Sequence, residues 1–247
     1  MPETSIFVRF LNDLLRGVEI NAFHSIGLGP AEAAEKALKV NQALSLELLV
    51  VGGLIAFFLL VRMTLSVEKP NPGQQIAELI HEFTGSNAEQ IIGHNYERFQ
   101  AFVTCIFLFV VLNNLLGLIP GLETPTGQPW VPLGIALLTF LYYQYYGFRE
   151  QGFVGYMKHF AGPIWWISPL LFPIEIISHC ARVMSLTIRL YANMLASDLV
   201  TLVFFSLMPL AIPAIFLGLH FAVSLIQAYV FMLLAMIYLS QAVAHEH

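Results

Sequence analysis

"IEIISHCARVMSLTIRLYANMLASDLVTLVFFSL" occupies residues 174–207, 34 residues without a proline or glycine. At a rise of about 1.5 Å per residue, a helix of that length is about 51 Å long. It is mostly apolar, so it cannot be a solvated rod. Yet Glu175, His179, Arg182, Arg189 and Asp198 lie inside it. No acid falls within one helical turn of Arg189. A permanent cation in such a segment decides the class of protein, because apolar helices longer than about 20 residues are membrane spans. Ionisable groups inside spans mark ion or substrate paths.

The rest of the chain agrees. It is 57% hydrophobic and 11% charged, with a mean hydropathy of +0.73, whereas a soluble domain carries roughly 25% charged residues. The net charge of −5 is dispersed. No basic block points to nucleic acid and no acidic run to a solvated tail. Cys105 and Cys180 fall in apolar runs and read as small buried hydrophobes, not as a disulfide or metal pair. The N-terminus does not read as a signal peptide. Ile6, Phe7, Phe10, Leu11, Leu14 and Val18 give a short amphipathic pattern instead.

Upstream of the long segment, a first span is expected over about Leu48 to Leu65, stopped by "EKPNPG" (68–73). Residues 74–84 place Ile76, Leu79, Ile80 and Phe83 on one face, which suits an interfacial helix. Spans over about Phe99 to Ile119 and Val131 to Phe148 are joined by the turn-rich "GLETPTGQP" (121–129) as a helical hairpin. "REQGFVGYMKHFAGP" (149–163) reads as a polar connection, and Pro163, Pro169 and Pro173 punctuate the entry to the long helix. After "SLMPLAIP" (206–213), a last run over about Ala214 to Ala242 is about 43 Å long. Both final helices exceed the roughly 30 Å hydrocarbon core, and steep tilt is the simplest accommodation.

The expected fold is an all-α integral membrane protein. It has about five membrane-embedded helices plus an interfacial amphipathic helix, and the last two form a long, strongly tilted hairpin. The chain reads as a single membrane domain, 1–247. It divides into an N-terminal segment (1–44), a first span (45–67), an interfacial helix (74–90), a hairpin (97–148) and the tilted hairpin (163–243). With the N-terminus outside, the inner loops and flanks collect Arg62, Lys69, Arg98, Arg149 and Lys158, while the two outer loops hold no Lys or Arg. Lys36 and Lys39 in the N-terminal tail run against that count. The C-terminus is then inside.

Glu175, Arg182 and Arg189 recur every seven residues, close to two helical turns, and share a stripe with Ser178, Ser185 and Asn193 nearby. Asp198 lies on the opposite side of the helix, about 13.5 Å further along. The last helix carries its own stripe: His220, Ser224 and Gln227. Folding the two helices back about Met208–Pro209 sets four pairs at equal depth: Asp198 with His220, Asn193 with Ser224, Arg189 with Gln227, and Glu175 with Gln241. Interhelical hydrogen bonds in membranes average only about 0.6 kcal/mol. A central Arg costs at least about 2.5–3.5 kcal/mol. Helix glue does not account for Arg189, whereas Asn193, Ser185 and Ser224 divide evenly between helix glue and a place on the ion path. Asp198 and His220 read as a proton-passing pair. Arg182 either snorkels to the inner surface or joins the path.

"SLTIRLYANMLASDLV" (185–200) followed by "HFAVSLIQAYVFMLLAMIYLSQA" (220–242) resembles the two C-terminal helices of subunit a of F-type ATP synthases, and "NNLLGLIPG" (113–121) resembles the end of an earlier span of that family. The resemblance implies a stator channel abutting a rotating ring of c subunits, in a bacterial plasma or inner membrane, with peripheral-stalk b subunits and membrane lipid as further partners. It implies that Arg189 faces the ring carboxylates. Asn193, Asp198, His220 and Gln227 match the family's outer half-channel, and Glu175 and Arg182 match residues toward the inner side. Ser185, Ser224 and Gln241 are supporting polar positions. The family often has Glu where this chain has Asp198, which shortens the reach by one methylene. The role so implied is non-catalytic, without cofactor or metal.

Two other classes remain. A self-contained channel or secondary transporter should show internal repeats or broken helices at mid-membrane, and neither is evident. An intramembrane enzyme lacks H-E-x-x-H and a second intramembrane aspartate, and no phosphate-binding G-x-x-x-x-G-K-[ST] run occurs.

Overall fold

The structure, a computed structural model, describes residues 42–66, 69–93, 95–119, 124–161, 168–207 and 211–243. Six α-helices account for nearly all of them, with no strand among the described residues: α1 (Gln42–Met63), α2 (Pro72–Ile92), α3 (Glu97–Leu116), α4 (Trp130–Ala161), α5 (Ser168–Leu207) and α6 (Ala211–Val243). A single 3-10 turn, Pro125–Gly127, precedes α4. The amphipathic pattern at residues 6–18 lies outside the described residues. Four helices, α1, α3, α5 and α6, are long and apolar enough to cross a membrane. In α4 the aromatic and amide run Tyr142 to Tyr146 dilutes the apolar content.

Helices α3 and α6 form the centre: 44% of each span is buried, against 17% for α1 and 11% for α5. Small residues allow the close approach. Ala228, Ala235 and Ala242 recur every seven residues on α6 and are buried, as expected where helices associate without a hydrophobic drive between them. One face of α5, Leu186, Leu190 and Met194, joins Ile106 and Val110 of α3 and Phe231 of α6 in the largest apolar cluster. The remaining faces of α5 are open: Ile177, Met184, Ile188 and Leu202 are all exposed.

Helix α2 lies against α3 and α6 through its small and polar residues. Ala88 meets Val103, Met232 and Met236. Thr84 and Thr104 share a hydrogen bond of 2.8 Å. Gln100 Nε2 donates to the His81 carbonyl at 2.7 Å. Pro72 sits in the first turn, where its missing N–H costs nothing, and Gly93 at φ 78 closes the C-terminus. At the same end of the bundle, Arg98 of α3 pairs with Glu150 of α4 at 2.6 Å and covers the Tyr146 ring at 4.8 Å. Phe102 stacks on Tyr142 at 3.5 Å. The amphipathic prediction for 74–84 thus identifies a real helix, and the structure extends it at both ends.

Two boundaries and the placement of the cysteines differ from the sequence expectation. The connection 149–163 is not irregular: α4 continues to Ala161, broken only at Gly152, whose φ of 71 and ψ of 161 are non-helical. Only glycine adopts such a backbone without strain. Helix α5 begins at Ser168, not after Pro173. Pro169 falls in the first turn, where proline is tolerated, whereas Pro173 lies inside the helix and forgoes the hydrogen bond to the carbonyl of residue 169. Its 40 residues give about 60 Å of helix. Cys105 and Cys180 are exposed on the isolated chain, not buried. An apolar run in a membrane helix marks a lipid- or partner-facing surface as readily as a core.

Candidate functional site

Arg189 sits on the flank of α5, between the packed face and the open one, and is half-buried. Its Nη2 reaches Ser185 Oγ, one turn earlier, at 3.4 Å. Among the described residues it has no carboxylate within ion-pair reach. Ser185 and Asn193 beside it are exposed. Asn193 Nδ2 donates to Gln227 Oε1 of α6 at 2.8 Å.

Nearer the end of α5, Asp198 is gripped from two sides. Thr124 Oγ1, in the chain leading into the 3-10 turn, donates to Asp198 Oδ1 at 2.9 Å. His220 Nδ1 of α6 lies 3.6 Å from the same oxygen, an ion pair when the imidazole is protonated. His220 and Thr124 are only 1% and 2% exposed, while the Asp198 side chain is 33% exposed, so the carboxylate joins two buried partners to a hydrated side. Two glycines make the approach possible. A Cβ on Gly117 would collide with Thr124 Oγ1, and one on Gly127 would lie 3.3 Å from Asp198 Oδ2.

The same turn continues the polar network into the bundle. Thr126 Oγ1 donates to Asn114 Oδ1 at 2.6 Å, and Asn114 Nδ2 reaches the Ser224 carbonyl at 3.4 Å. Around these bonds, Asn113 Oδ1, His220 Nε2, Ser224 Oγ and Gln227 Nε2 are buried with no protein partner among the described residues. Buried polar atoms are nearly always satisfied by protein or by water. Several unpaired atoms along α3 and α6 fit a hydrated seam better than helix glue. A cavity of about 230 Å³, lined by Asn193, Ser197, Thr201 and Leu219 among others, opens between α5 and α6 at this end.

At the opposite end of α5, about 34 Å from Asp198 by helical rise, a second polar group gathers. Glu175 Oε1 lies 3.5 Å from His179 Nε2. The Arg182 guanidinium stands 5.1 Å from the centre of the Tyr238 ring. Gln241 of α6 lines the same small cavity as Glu175 and Arg182. Among the described residues no cluster of His, Cys, Asp and Glu could hold a metal ion.

Two of the four expected layers therefore hold: Asp198 meets His220, and Glu175 shares a cavity with Gln241. Two shift. Asn193 pairs with Gln227 instead of Ser224, and Arg189 turns to Ser185 on its own helix instead of Gln227. The contacts of Asn193 with Gln227 and of Arg182 with Tyr238 share a register three residues away from the one obtained by folding about Met208–Pro209. The register is set by side-chain packing along about 30 residues of contact, which outweighs the choice of turn.

Sequence reasoning missed Thr124, Thr126, Asn114 and Tyr143 as members of these groups. Adjacent asparagines at 113–114 in an apolar span were the available signal for Asn114. Nothing local distinguishes the threonines from ordinary turn residues.

Residues 45–240 match the family model described as ATP synthase A chain. The chain belongs to this family. It is 49% identical over its full length, and that of the relative, to the ATP synthase subunit a of Koribacter versatilis (strain Ellin345). It is 44% identical to that of Solibacter usitatus (strain Ellin6076), covering 96% of this chain and 99% of the relative. A third relative, from Bdellovibrio bacteriovorus (strain ATCC 15356 / DSM 50701 / NCIMB 9529 / HD100), is 40% identical over 70% of this chain and 75% of its own. As an ATP synthase A chain with four helices long and apolar enough to span a bilayer, it is an integral membrane protein.

Proposed function

We propose that this chain is the stator proton channel of a rotary ATP synthase, a non-catalytic subunit and a single membrane domain. Two aqueous half-channels load and unload the carboxylates of a c-subunit ring, so that ion flow drives rotation and ATP synthesis. The observation that carries this reading is Arg189: a guanidinium within a span, at the edge of the open helix face, with Ser185 beside it and no carboxylate within ion-pair reach among the described residues. A guanidinium stays charged at any physiological pH. It cannot relay protons. It holds a passing ring carboxylate ionised and repels a proton attempting to cross directly. The missing counter-charge belongs to a partner subunit, and the exposed face of α5 is where the ring runs.

The outer half-channel is the hydrated seam at the Thr124 end. Asp198 and His220 exchange the proton there, with Asn193 and Gln227 leading it toward Arg189, and Ser224 supplies a further polar atom along the way. Glu175, with Arg182 and Gln241 beside it, serves the inner half-channel. The lengths of α5 and α6, about 60 and 50 Å by rise, favour a steep tilt that lets one hairpin line both half-channels. Each proton moved through 100 mV supplies about 2.3 kcal/mol. The N-terminus is outside and the C-terminus inside. The peripheral-stalk b subunits contact α1 and α2, and lipid covers the remaining apolar faces.

The test is Arg189→Ala in membrane vesicles carrying the whole complex. Coupled proton pumping should disappear, while passive conduction survives or rises once the catalytic head is stripped. Pumping near the wild-type rate would leave the arginine structural and remove the central residue of this reading. Conduction by the purified chain without a ring would favour a self-contained channel instead.

A further inference from the structure

Sequence pattern and family resemblance both leave His179 without a role, yet it is the most deeply placed ionisable group at the Glu175 end of α5. It is 8% exposed and Tyr143 of α4 only 2%. Tyr143 Oη and His179 Nδ1 lie 2.9 Å apart, and the other ring nitrogen, Nε2, lies 3.5 Å from Glu175 Oε1. The imidazole therefore bridges a buried phenol and a carboxylate whose side chain is 35% exposed. Phe140 packs against the ring at 6.1 Å and helps fix its plane. A cavity of about 50 Å³ adjoins it, lined by Tyr143, Glu175, His179, Arg182, Tyr238 and Gln241. That is room for more than one water, with ample polar partners.

We propose that His179 is the proton-relay group of this end of the subunit, passing protons between the membrane interior and Glu175, with Tyr143 as its positioning residue. This deepens the stator reading and rests on it. Along α5, His179 lies one turn deeper than Glu175, between it and Arg189, which is the order a relay requires. A proton released on the ring side reaches a water in the cavity as hydronium; that hydronium protonates Nε2 and is left as water, forming an imidazolium whose Nδ1–H donates to Tyr143 Oη. The Nε2–H bond then breaks and an O–H bond forms on the Glu175 carboxylate. This restores a neutral imidazole that carries its proton on Nδ1. Glu175 releases the proton to water at the surface. One proton enters, one leaves, and no group keeps a charge. By accepting from Nδ1–H, Tyr143 keeps the free lone pair on Nε2, the nitrogen that faces Glu175.

Charges around the ring are mixed. Glu175 and Arg182 on α5 carry opposite charges. Tyr143 of α4 and Tyr238 and Gln241 of α6 are neutral dipoles.

The experiment uses inverted vesicles carrying the whole complex, so that this end of the subunit faces the medium. ATP-driven acidification of the lumen is recorded across a series of medium pH values. His179→Gln should lower the rate about tenfold, within the range by which a positioned proton-transfer group acts, and should flatten the dependence on medium pH. Tyr143→Phe should retain more of the rate but displace the pH profile, which a purely structural loss would not do. A wild-type rate and profile in His179→Gln overturns the relay. Should that variant fail to assemble, an unmoved profile in Tyr143→Phe, which removes one oxygen, overturns it equally. Arg189→Ala in the same vesicles separates the two readings. If it uncouples while His179→Gln behaves as wild type, only the relay fails. If it pumps normally, the stator reading fails.

Discussion

At the scale of single residues, the Asp198 carboxylate is held by one neutral donor and one titratable one, and the two should separate by mutation. Thr124→Val preserves shape and removes the 2.9 Å hydrogen bond. Hydrogen bonds to charged groups contribute about 1.5–3 kcal/mol, so the loss should appear as a lower proton-pumping rate and a modest fall in thermal stability of the complex. In Asp198→Asn the carboxylate is already gone, and adding Thr124→Val should cost much less than it does in wild type. Contacting residues behave non-additively in this way. Equal effects of Thr124→Val in both backgrounds, in a double-mutant cycle on pumping rate, would mean the contact plays no part in proton delivery. Asp198→Glu should retain activity, because a carboxylate one methylene longer still reaches the pocket between Thr124 and His220.

At the scale of helices, α2 is held to α3 by close approach. A Cβ on Gly85 would stand 2.6 Å from Gln100 Nε2, and Gln100 would have to leave His81. Gly85→Ala gains about 1 kcal/mol of helix propensity but incurs overpacking of about 1–3 kcal/mol, so the net sign is destabilising. Gly52→Ala on α1 meets nothing within 4 Å and should gain the propensity without the penalty. Thermal melting of the detergent-solubilised complex distinguishes them: the first variant should melt below wild type and the second at or above it. A Gly85→Ala complex as stable as Gly52→Ala would show that Gln100 can rearrange freely. Gly152 plays a different part, since its positive φ lets α4 turn without ending.

At the scale of the whole molecule, the two polar groups lie at opposite ends of the bundle. Thr124, Asn114, Asp198 and His220 gather at one end, and Arg98, Glu150, Glu175 and Gln241 at the other. The helix order makes these ends opposite faces of the membrane. The orientation proposed above, from the distribution of Lys and Arg, has the second end inside. A C-terminal epitope should therefore be cleaved by protease in inverted vesicles and protected in right-side-out cells. The reverse pattern would exchange the inner and outer half-channels and reverse the direction in which the His179 relay works.

The sequence by itself determined the class of protein and the helices found among the described residues, and it marked which polar residues stand inside them. Long apolar runs have few alternatives to helix in lipid, where every backbone group must be satisfied within its segment. A charge in such a run declares itself because its desolvation is so unfavourable. The heptad spacing of Glu175, Arg182 and Arg189 was legible for the same reason, since helical geometry converts spacing directly into a face. Tertiary structure alone decided which residues meet. The pairing of Asn193 with Gln227, the grip of Thr124 on Asp198, and the joining of Tyr143 to His179 across 36 positions all depend on register between helices. That register comes from knob-and-hole fit over many turns and from two glycines admitting a loop, and no local pattern encodes that sum.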